Sequence, residues 1–355
     1  MSRTIKPLVV CMFVATSLLI IFVVRDNYNW YLTAKSTSIK KWTRMSTGTT
    51  QNTVSKDTTK NISKPLSVKD IQQQRYSNLL EACERLNSKE RRDTIDGLTA
   101  DILKKMNHIF VLDKLKTLYC YIPKVGCTTM KRMLLLLNGN INSTNIDHET
   151  VHILAERHFP SLSKFSLEDS KEKIKSYRKL IFVREPFSRI LSAYRDKLDS
   201  NGAFRNEYWS RIINGHAKPG VSRNKDVNIT FGSFVNYVGN PSHTLALPQE
   251  EHWREFHRLC HPCKVSYDVI GHFETFYEDV REGLQEIAKG VDVEIPKSSN
   301  PTKSSRSEVL VKYYSQVSSS QLESLYQRLA TDIEIFDYRV PSFIAGRINT
   351  SRSNM

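Results

Sequence analysis

The sequence predicts an α/β domain of the three-layer kind, a parallel sheet covered by helices on both faces with P-loop-like turns, behind an N-terminal membrane anchor and stem. Three observations carry this. Short apolar runs near 108–112, 117–122, 180–184 and 267–271 have the length and composition of buried strands. Helical patterns near 128–138, 186–199, 250–259, 275–289 and 319–331 separate them, and strands alternating with helices imply a parallel sheet. Two of the strands end in turns that open directly into helices, and the carboxyl ends of strands are where open α/β sheets collect ligands.

The chain begins with a short tail, 1–7, and then Leu8 to Val24, seventeen uncharged and almost wholly apolar residues between Arg3 and Lys6 on one side and Arg25 on the other. That is the short end of a membrane span. A cleaved signal peptide would have a shorter apolar core and small residues at its cleavage site, which Val23-Val24-Arg25-Asp26-Asn27-Tyr28 does not offer. The expectation is an uncleaved anchor at 8–24 with a cytoplasmic N-terminus, as the flanking positive charges direct, and a luminal remainder.

Residues 25–68 read as a flexible stem. Between 33 and 63, fourteen of thirty-one residues are Ser or Thr, too polar a composition to bury an ordering core and a candidate for O-glycosylation. From 69 to 107 the pattern turns helical. Ile71, Leu79, Leu80, Cys83 and Leu86 recur at three- and four-residue steps, as in amphipathic helices packing onto the domain from outside. The domain itself spans 108–345, and 346–355 form a tail.

Sequons at Asn61, Asn142, Asn228 and Asn349 agree with a luminal chain. Cys11 lies in the span. Five cysteines follow, Cys83, Cys120, Cys127, Cys260 and Cys263, so in an oxidising compartment at least one thiol stays free or pairs with another chain. A redox motif at Cys260-His261-Pro262-Cys263 would need a strand before it and a helix opening at its first cysteine. Here a helical pattern precedes it and Pro262 turns the chain, so a structural disulfide clip is expected. No second Cys/His pair at ligand spacing suggests zinc or another metal.

The formal charge is +15, and +12 beyond position 25; between Arg189 and Lys225 eight Lys or Arg face three Asp or Glu. Basic surfaces attract any polyanion. For a luminal chain the expected partner is an anionic glycan rather than nucleic acid.

The first chemical piece is the loop Lys124-Val125-Gly126-Cys127-Thr128-Thr129, between the apolar run ending Tyr121-Ile122-Pro123 and the Met/Leu/Lys/Arg run that follows. Backbone N–H groups at a helix start converge on one spot where the helix dipole favours an anion. Two hydroxyls and Lys124 add to it. The nucleotide-triphosphate pattern Gly-x-x-x-x-Gly-Lys-Ser/Thr is not met, because the lysine precedes the glycine. The second piece is Val183-Arg184-Glu185-Pro186-Phe187-Ser188-Arg189, continuing through Ser192 to Tyr194. Pro186 suits a first helical turn, Arg184 sits at a strand end, and Arg189 and Ser192 share a helix face. Guanidinium forks with a hydroxyl suit a phosphate.

Together, Pro-Lys-x-Gly-Cys-Thr-Thr-x-Lys-Arg and Val-Arg-Glu-Pro-Phe-x-Arg-x-x-Ser-Ala-Tyr resemble the cofactor signature of Golgi carbohydrate sulfotransferases. The group is the one that includes the chondroitin and dermatan 4-O-sulfotransferases and the HNK-1 sulfotransferase. Glu251-His252-Trp253, Cys260-His261-Pro262-Cys263 and Tyr267-Asp268-x-x-Gly271-x-Phe273-Glu274 look like a third block of the same group, and the likeness runs with gaps from about 75 to 343.

The resemblance implies sulfate transfer from 3′-phosphoadenosine-5′-phosphosulfate to a glycan hydroxyl, without a metal. It assigns the loop Lys124, Val125, Gly126, Cys127, Thr128 and Thr129 to the phosphosulfate, with Lys124 catalytic, and Arg184 and Ser192 to the 3′-phosphate. Arg189 matches the motif and could equally hold the helix in place; Lys131 and Arg132 are more ambiguous. Lys303 and Arg306 resemble a basic loop that closes on the donor. An acceptor base of His type is wanted, and His152 holds the position of the catalytic histidine in related enzymes, with His148 and His158 as rivals and Glu149 further off. Thr129-Met130 stands where relatives usually show Asn-Trp, which bears on acceptor choice. The leading acceptor is the 4-hydroxyl of N-acetylgalactosamine in chondroitin or dermatan. Alternatives are HNK-1-type glucuronic acid, N-glycan N-acetylgalactosamine, a luminal glycan-binding protein without turnover, and a luminal redox protein built on Cys260 and Cys263.

Overall fold

The computed structural model describes residues 66–86, 95, 97–199, 208, 212, 229–240, 250–288, 294–296 and 303–353. The expected anchor, the stem up to 65, Asn61 and Asn228 lie outside them. Among the described residues no helix is long and apolar enough to cross a membrane.

Among the described residues four strands form one sheet in the order β1 (Ile109–Leu112), β2 (Thr117–Cys120), β3 (Arg178–Val183) and β4 (Val269–His272). β2 pairs with β3 and β3 with β4 in parallel, bringing Cys120 beside Ile181 and Ile181 beside Ile270. β1, however, runs antiparallel to β2, with Leu112 opposite Thr117. The expected parallel sheet is therefore mixed. Only Asp113 to Lys116 join the two strands, whereas a parallel crossover needs about a dozen residues or more. A 3-10 turn ending on Lys116, with φ 47°, reverses the chain. Every residue of β1 and β2 and all but Arg178 of β3 is buried, so both faces are covered.

Both edges are blunted as well. At β1, Val111 N–H donates to the Pro160 carbonyl at 2.9 Å. At β4, Ile270 N–H donates to Gln72 Oε1 at 2.9 Å, and Arg75 donates to the Ile270 carbonyl at 2.8 Å. Gln72 and Arg75 belong to α1 (Val68–Leu86), the helix of the lead-in, and both also reach the buried Asp279 carboxylate, at 2.9 and 2.8 Å.

The other helices are α2 (Ala100–Leu103), α3 (Cys127–Leu137), α4 (His148–His158), α5 (Leu167–Ser176), α6 (Pro186–Lys197), α7 (Phe231–Gly239), α8 (Phe256–Cys260), α9 (Pro262–Val265), α10 (Phe276–Ile287), α11 (Ser307–Tyr314), α12 (Ser319–Ile335) and α13 (Ser342–Ser353). Caps set several of their starts. Glu185 accepts from the N–H groups of Phe187 and Ser188 with Pro186 just inside α6, and Ser318 and Gln321 form a capping box on α12. The helix expected over 250–259 is confined to α8. Its start is fixed from a distance by Asp332, whose carboxylate accepts from Phe256 and His257 N–H at 2.6 and 2.9 Å.

Two apolar clusters result. One surrounds the sheet; the other joins α6, α7, α11, α12 and α13 around Phe187, Phe234, Trp253 and Tyr314. The Cys260–Cys263 stretch is not a local clip. Cys83 pairs with Cys263 and Cys120 with Cys260, closing separations of 180 and 140 residues. Loops of that size are worth about 4–5 kcal/mol in a chain-entropy picture, less when one cross-link follows another. Cys127 keeps a free, buried thiol.

Candidate active site

The loop after β2 is held down by two apolar anchors, Ile122 and Val125, both fully buried. Between and beyond them the backbone turns left-handed at Lys124 (φ 72°) and Gly126 (φ 87°). A Cβ at Gly126 would also lie 2.5 Å from the Phe276 ring, so this position needs glycine on two counts. No side chain caps α3. The first N–H groups of that helix, on Cys127, Thr128 and Thr129, are therefore left for a ligand.

A cavity of about 1220 Å³ opens over this loop. Lys124, Gly126, Cys127, Thr128, Thr129, Arg184, Ser192, Lys303 and Arg306 line it, together with Lys131, Arg132, His148 and His152. The sequence pieces some sixty and 120 residues apart are joined by one side chain. Arg184 donates through one terminal nitrogen to the Lys124 carbonyl at 3.1 Å and through the other to Ser305 Oγ at 2.8 Å. Its guanidinium lies 4.3 Å from the centre of the Phe273 ring, and its buried Nε finds no acceptor. Burial lowers its pKa to about 10, which leaves it a cation at neutral pH.

Lys124 Nζ lies 3.1 Å from Asp196 Oδ2. Burial pulls the ammonium below its ordinary pKa and Asp196 pushes back. Burial also works against the Asp196 carboxylate, but Lys124 and Lys197 outweigh it and hold that group ionised.

Two expected donor-binding residues are not among those that line the cavity. Val125 turns its side chain into the core. Arg189, 2% exposed, spends its guanidinium on three carbonyls: Pro123 at 3.0 Å, Arg254 at 2.8 Å and Glu251 at 2.8 Å. It holds the helix to its neighbours, the second of the two roles its motif position allowed. His158 and Glu149 do not line the cavity.

The expected acceptor base, His152, is bonded at both nitrogens. Lys131 Nζ lies 3.0 Å from Nδ1, and Thr128 Oγ1 lies 3.2 Å from Nε2. An ammonium can only donate, so Nδ1 is the acceptor and the ring proton sits on Nε2, pointing at Thr128. Burial, then Lys131 and His148, lower the ring's pKa to about 3, so it is neutral. With its lone pair capped by a lysine, His152 is poorly placed to accept a proton from a sugar. It suits a different task, fixing the Thr128 hydroxyl so that its hydrogen can face the cavity.

A further part of the lining comes from residues the sequence did not assign a role. His252 lines the cavity, and its Nδ1 lies 2.5 Å from Glu250 Oε1, while Tyr208 donates to Glu250 Oε2 at 3.0 Å. The Glu251-His252-Trp253 block was the available signal. Ligand-type atoms of Glu250, Glu251 and His252 lie within 4.8 Å of one another, the one grouping of that kind among the described residues. The histidine–carboxylate bond already occupies two of them.

Residues 107–339 match the model of the sulfotransferase family. Mouse carbohydrate sulfotransferase 11 is 30% identical over 281 residues, covering 77% of this chain and 78% of that protein. Carbohydrate sulfotransferase 10 of Xenopus laevis is 34% identical over 292 residues, covering 77% and 80%. Human carbohydrate sulfotransferase 9 is 28% identical over 279 residues, covering 77% and 61%. No solved structure matches.

Proposed function

The chain belongs to the sulfotransferase family and is a carbohydrate sulfotransferase, and from that premise we propose that it sulfates the 4-hydroxyl of N-acetylgalactosamine in chondroitin or dermatan. The family implies 3′-phosphoadenosine-5′-phosphosulfate as donor. The bond from Arg184 to the Lys124 carbonyl carries the reading, because it makes two anion-binding pieces one site. A buried cation with an unpartnered Nε, beside a helix start without a cap, fits a molecule bearing phosphate at both ends. The cavity exceeds what a nucleotide alone requires and leaves room for a sugar.

The donor supplies an activated sulfuryl group whose phosphate oxygen takes up charge as the bond to sulfur breaks. Lys124 neutralises that oxygen, and Asp196 holds the ammonium in reach until the donor arrives. The N–H groups of α3 and the Thr128 hydroxyl hold the phosphosulfate oxygens. Arg184 and Ser192 bind the 3′-phosphate, with Lys303 and Arg306 over it. Catalysis of this type rests on position and fixed charge more than on covalent chemistry.

The apolar run 8–24 anchors the enzyme in the Golgi membrane with its domain in the lumen. Two long-range disulfides support an oxidising compartment. Asn142 is exposed in the loop after α3 and accessible to glycosylation, while Asn349 sits in the α13 backbone.

The test uses full-length enzyme with labelled donor and four acceptors: desulfated chondroitin, desulfated dermatan, a glucuronic-acid-terminated oligosaccharide and an N-glycan ending in N-acetylgalactosamine. Label at position 4 of chondroitin or dermatan is expected. Label confined to either of the last two would replace the acceptor. Binding without turnover on all four would leave a glycan-binding protein, a reading that Lys124, Arg184 and Ser192 around one cavity argue against.

A further inference from the structure

Of the three imidazoles that line the cavity, His148, His152 and His252, the last two are set in opposite senses. His152 accepts a hydrogen bond from Lys131 at Nδ1, which places its own hydrogen on Nε2. His252 has the reverse arrangement. Its Nδ1 lies 2.5 Å from Glu250 Oε1, and the other oxygen of that carboxylate is held by Tyr208 at 3.0 Å. An ionised carboxylate can only accept, so Nδ1 of His252 carries the hydrogen and Nε2 is the basic nitrogen. A base oriented by a carboxylate that is itself held is the arrangement by which enzymes prepare a proton acceptor.

We infer that His252 is the general base that takes the proton of the acceptor hydroxyl, with Glu250 as its positioning residue; this rests on the sulfotransfer reading of the same cavity. As the acceptor O–H bond breaks, its electron pair forms the new bond to sulfur, and the proton moves to His252 Nε2. The bond between sulfur and the donor phosphate breaks, and its pair stays on the phosphate oxygen beside Lys124. Products are the sulfate ester, adenosine 3′,5′-bisphosphate and a protonated His252.

The charges facing the ring agree with the role. Burial lowers the pKa of His252, Glu250 raises it through its hydrogen bond, and Lys197 and Lys124 lower it through space. The net shift is downward, so the ring is neutral, and able to accept, at neutral pH. Glu250 is ionised: burial opposes this, but His252 and Tyr208 hold its pKa below the ordinary value.

The experiment compares full-length wild type with His252→Gln, His252→Asn and Glu250→Gln. It reads kcat on desulfated chondroitin and on a glucuronic-acid-terminated oligosaccharide, affinity for adenosine 3′,5′-bisphosphate, and thermal unfolding. His252→Gln and His252→Asn are expected to lower kcat by about 10²–10⁴-fold, the usual worth of a positioned base, on whichever acceptor wild type sulfates. Bisphosphate affinity and unfolding temperature should stay at wild-type values. Asn keeps a donor where Nδ1 stands, so a loss there cannot be ascribed to a broken Glu250 contact. In wild type the acidic limb of kcat should fall below the ordinary imidazole range, and Glu250→Gln should move that limb and lower kcat with little change in KM.

The base assignment fails if wild type transfers sulfate while both His252 variants stay within about threefold of it, or if they lose bisphosphate affinity in step with kcat. If wild type labels neither acceptor, the acceptor reading fails and takes the base assignment with it.

Discussion

The cavity has two unlike walls. The wall proposed for the donor, from the loop at Lys124 to Arg184 and the segment 303–306, carries cations and helix N–H groups, with Arg184 held by the Lys124 carbonyl and Lys124 by Asp196. The wall proposed for the acceptor, from α4 and residues 250–252, carries two histidine pairs of opposite sense: Lys131 donates to His152, and His252 donates to Glu250. A donor that is the same in every turnover is met by fixed charge. On the proposed assignment, a hydroxyl that must lose a proton is met by one imidazole, His252, oriented to take it.

The harshest way to break the contrast is to remove the strut between the walls. Arg189 reaches Pro123 on one side and Glu251 and Arg254 on the other. Arg189→Leu leaves three buried carbonyls without donors and should cost about 3–5 kcal/mol, read in chemical denaturation. Arg189→Leu as stable as wild type would show that the walls stand independently.

Next comes the donor wall itself. Lys124→Ala should lower kcat by about 10²–10³-fold, the cost of losing one preorganised partner of a developing oxyanion, with a modest loss of bisphosphate affinity. Arg184→Ala should instead weaken bisphosphate binding by about 10–100-fold, as for a lost charge-assisted hydrogen bond, measured by calorimetry. If the two variants exchanged behaviour, the ends of the donor would have to be reversed.

The smallest effect sharpens the difference between the histidines. His152→Asn should lower kcat by only about tenfold, through a loosened Thr128 hydroxyl, and leave the acidic limb of the pH–rate profile unmoved. A loss as large as that from Lys124→Ala, together with a vanished acidic limb, would return the base to His152.

The donor wall was largely legible in the sequence because its parts are local. Lys124, Gly126 and the two threonines sit within six residues, and Arg184 follows its strand directly. The acceptor wall was not. Nothing around His152 reveals that Lys131, twenty-one residues earlier on another helix, fills its lone pair. The orientation of His252 depends on Tyr208, and the path of its segment on Asp332, contacts that sequence patterns do not record. The strands were readable as apolar runs. The four-residue gap before β2 already excluded a parallel crossover, but the strand–helix alternation elsewhere hid that local constraint. Short polar helices such as α4 and α5 carry weak periodicity, and their true markers were the caps at Asp147 and Ser166.

One covalent link runs between the segments that carry these walls. Cys120 stands at the root of the donor loop, and Cys260 closes the helix that follows His252. This link takes part in no step of the proposed transfer, yet the catalyst is hostage to thiol reagents. Enzyme made in a reducing cytosol, or treated with dithiothreitol, would lose the stitch between the root of the Lys124 loop and the helix after His252, and turnover would fade before the sheet itself came apart.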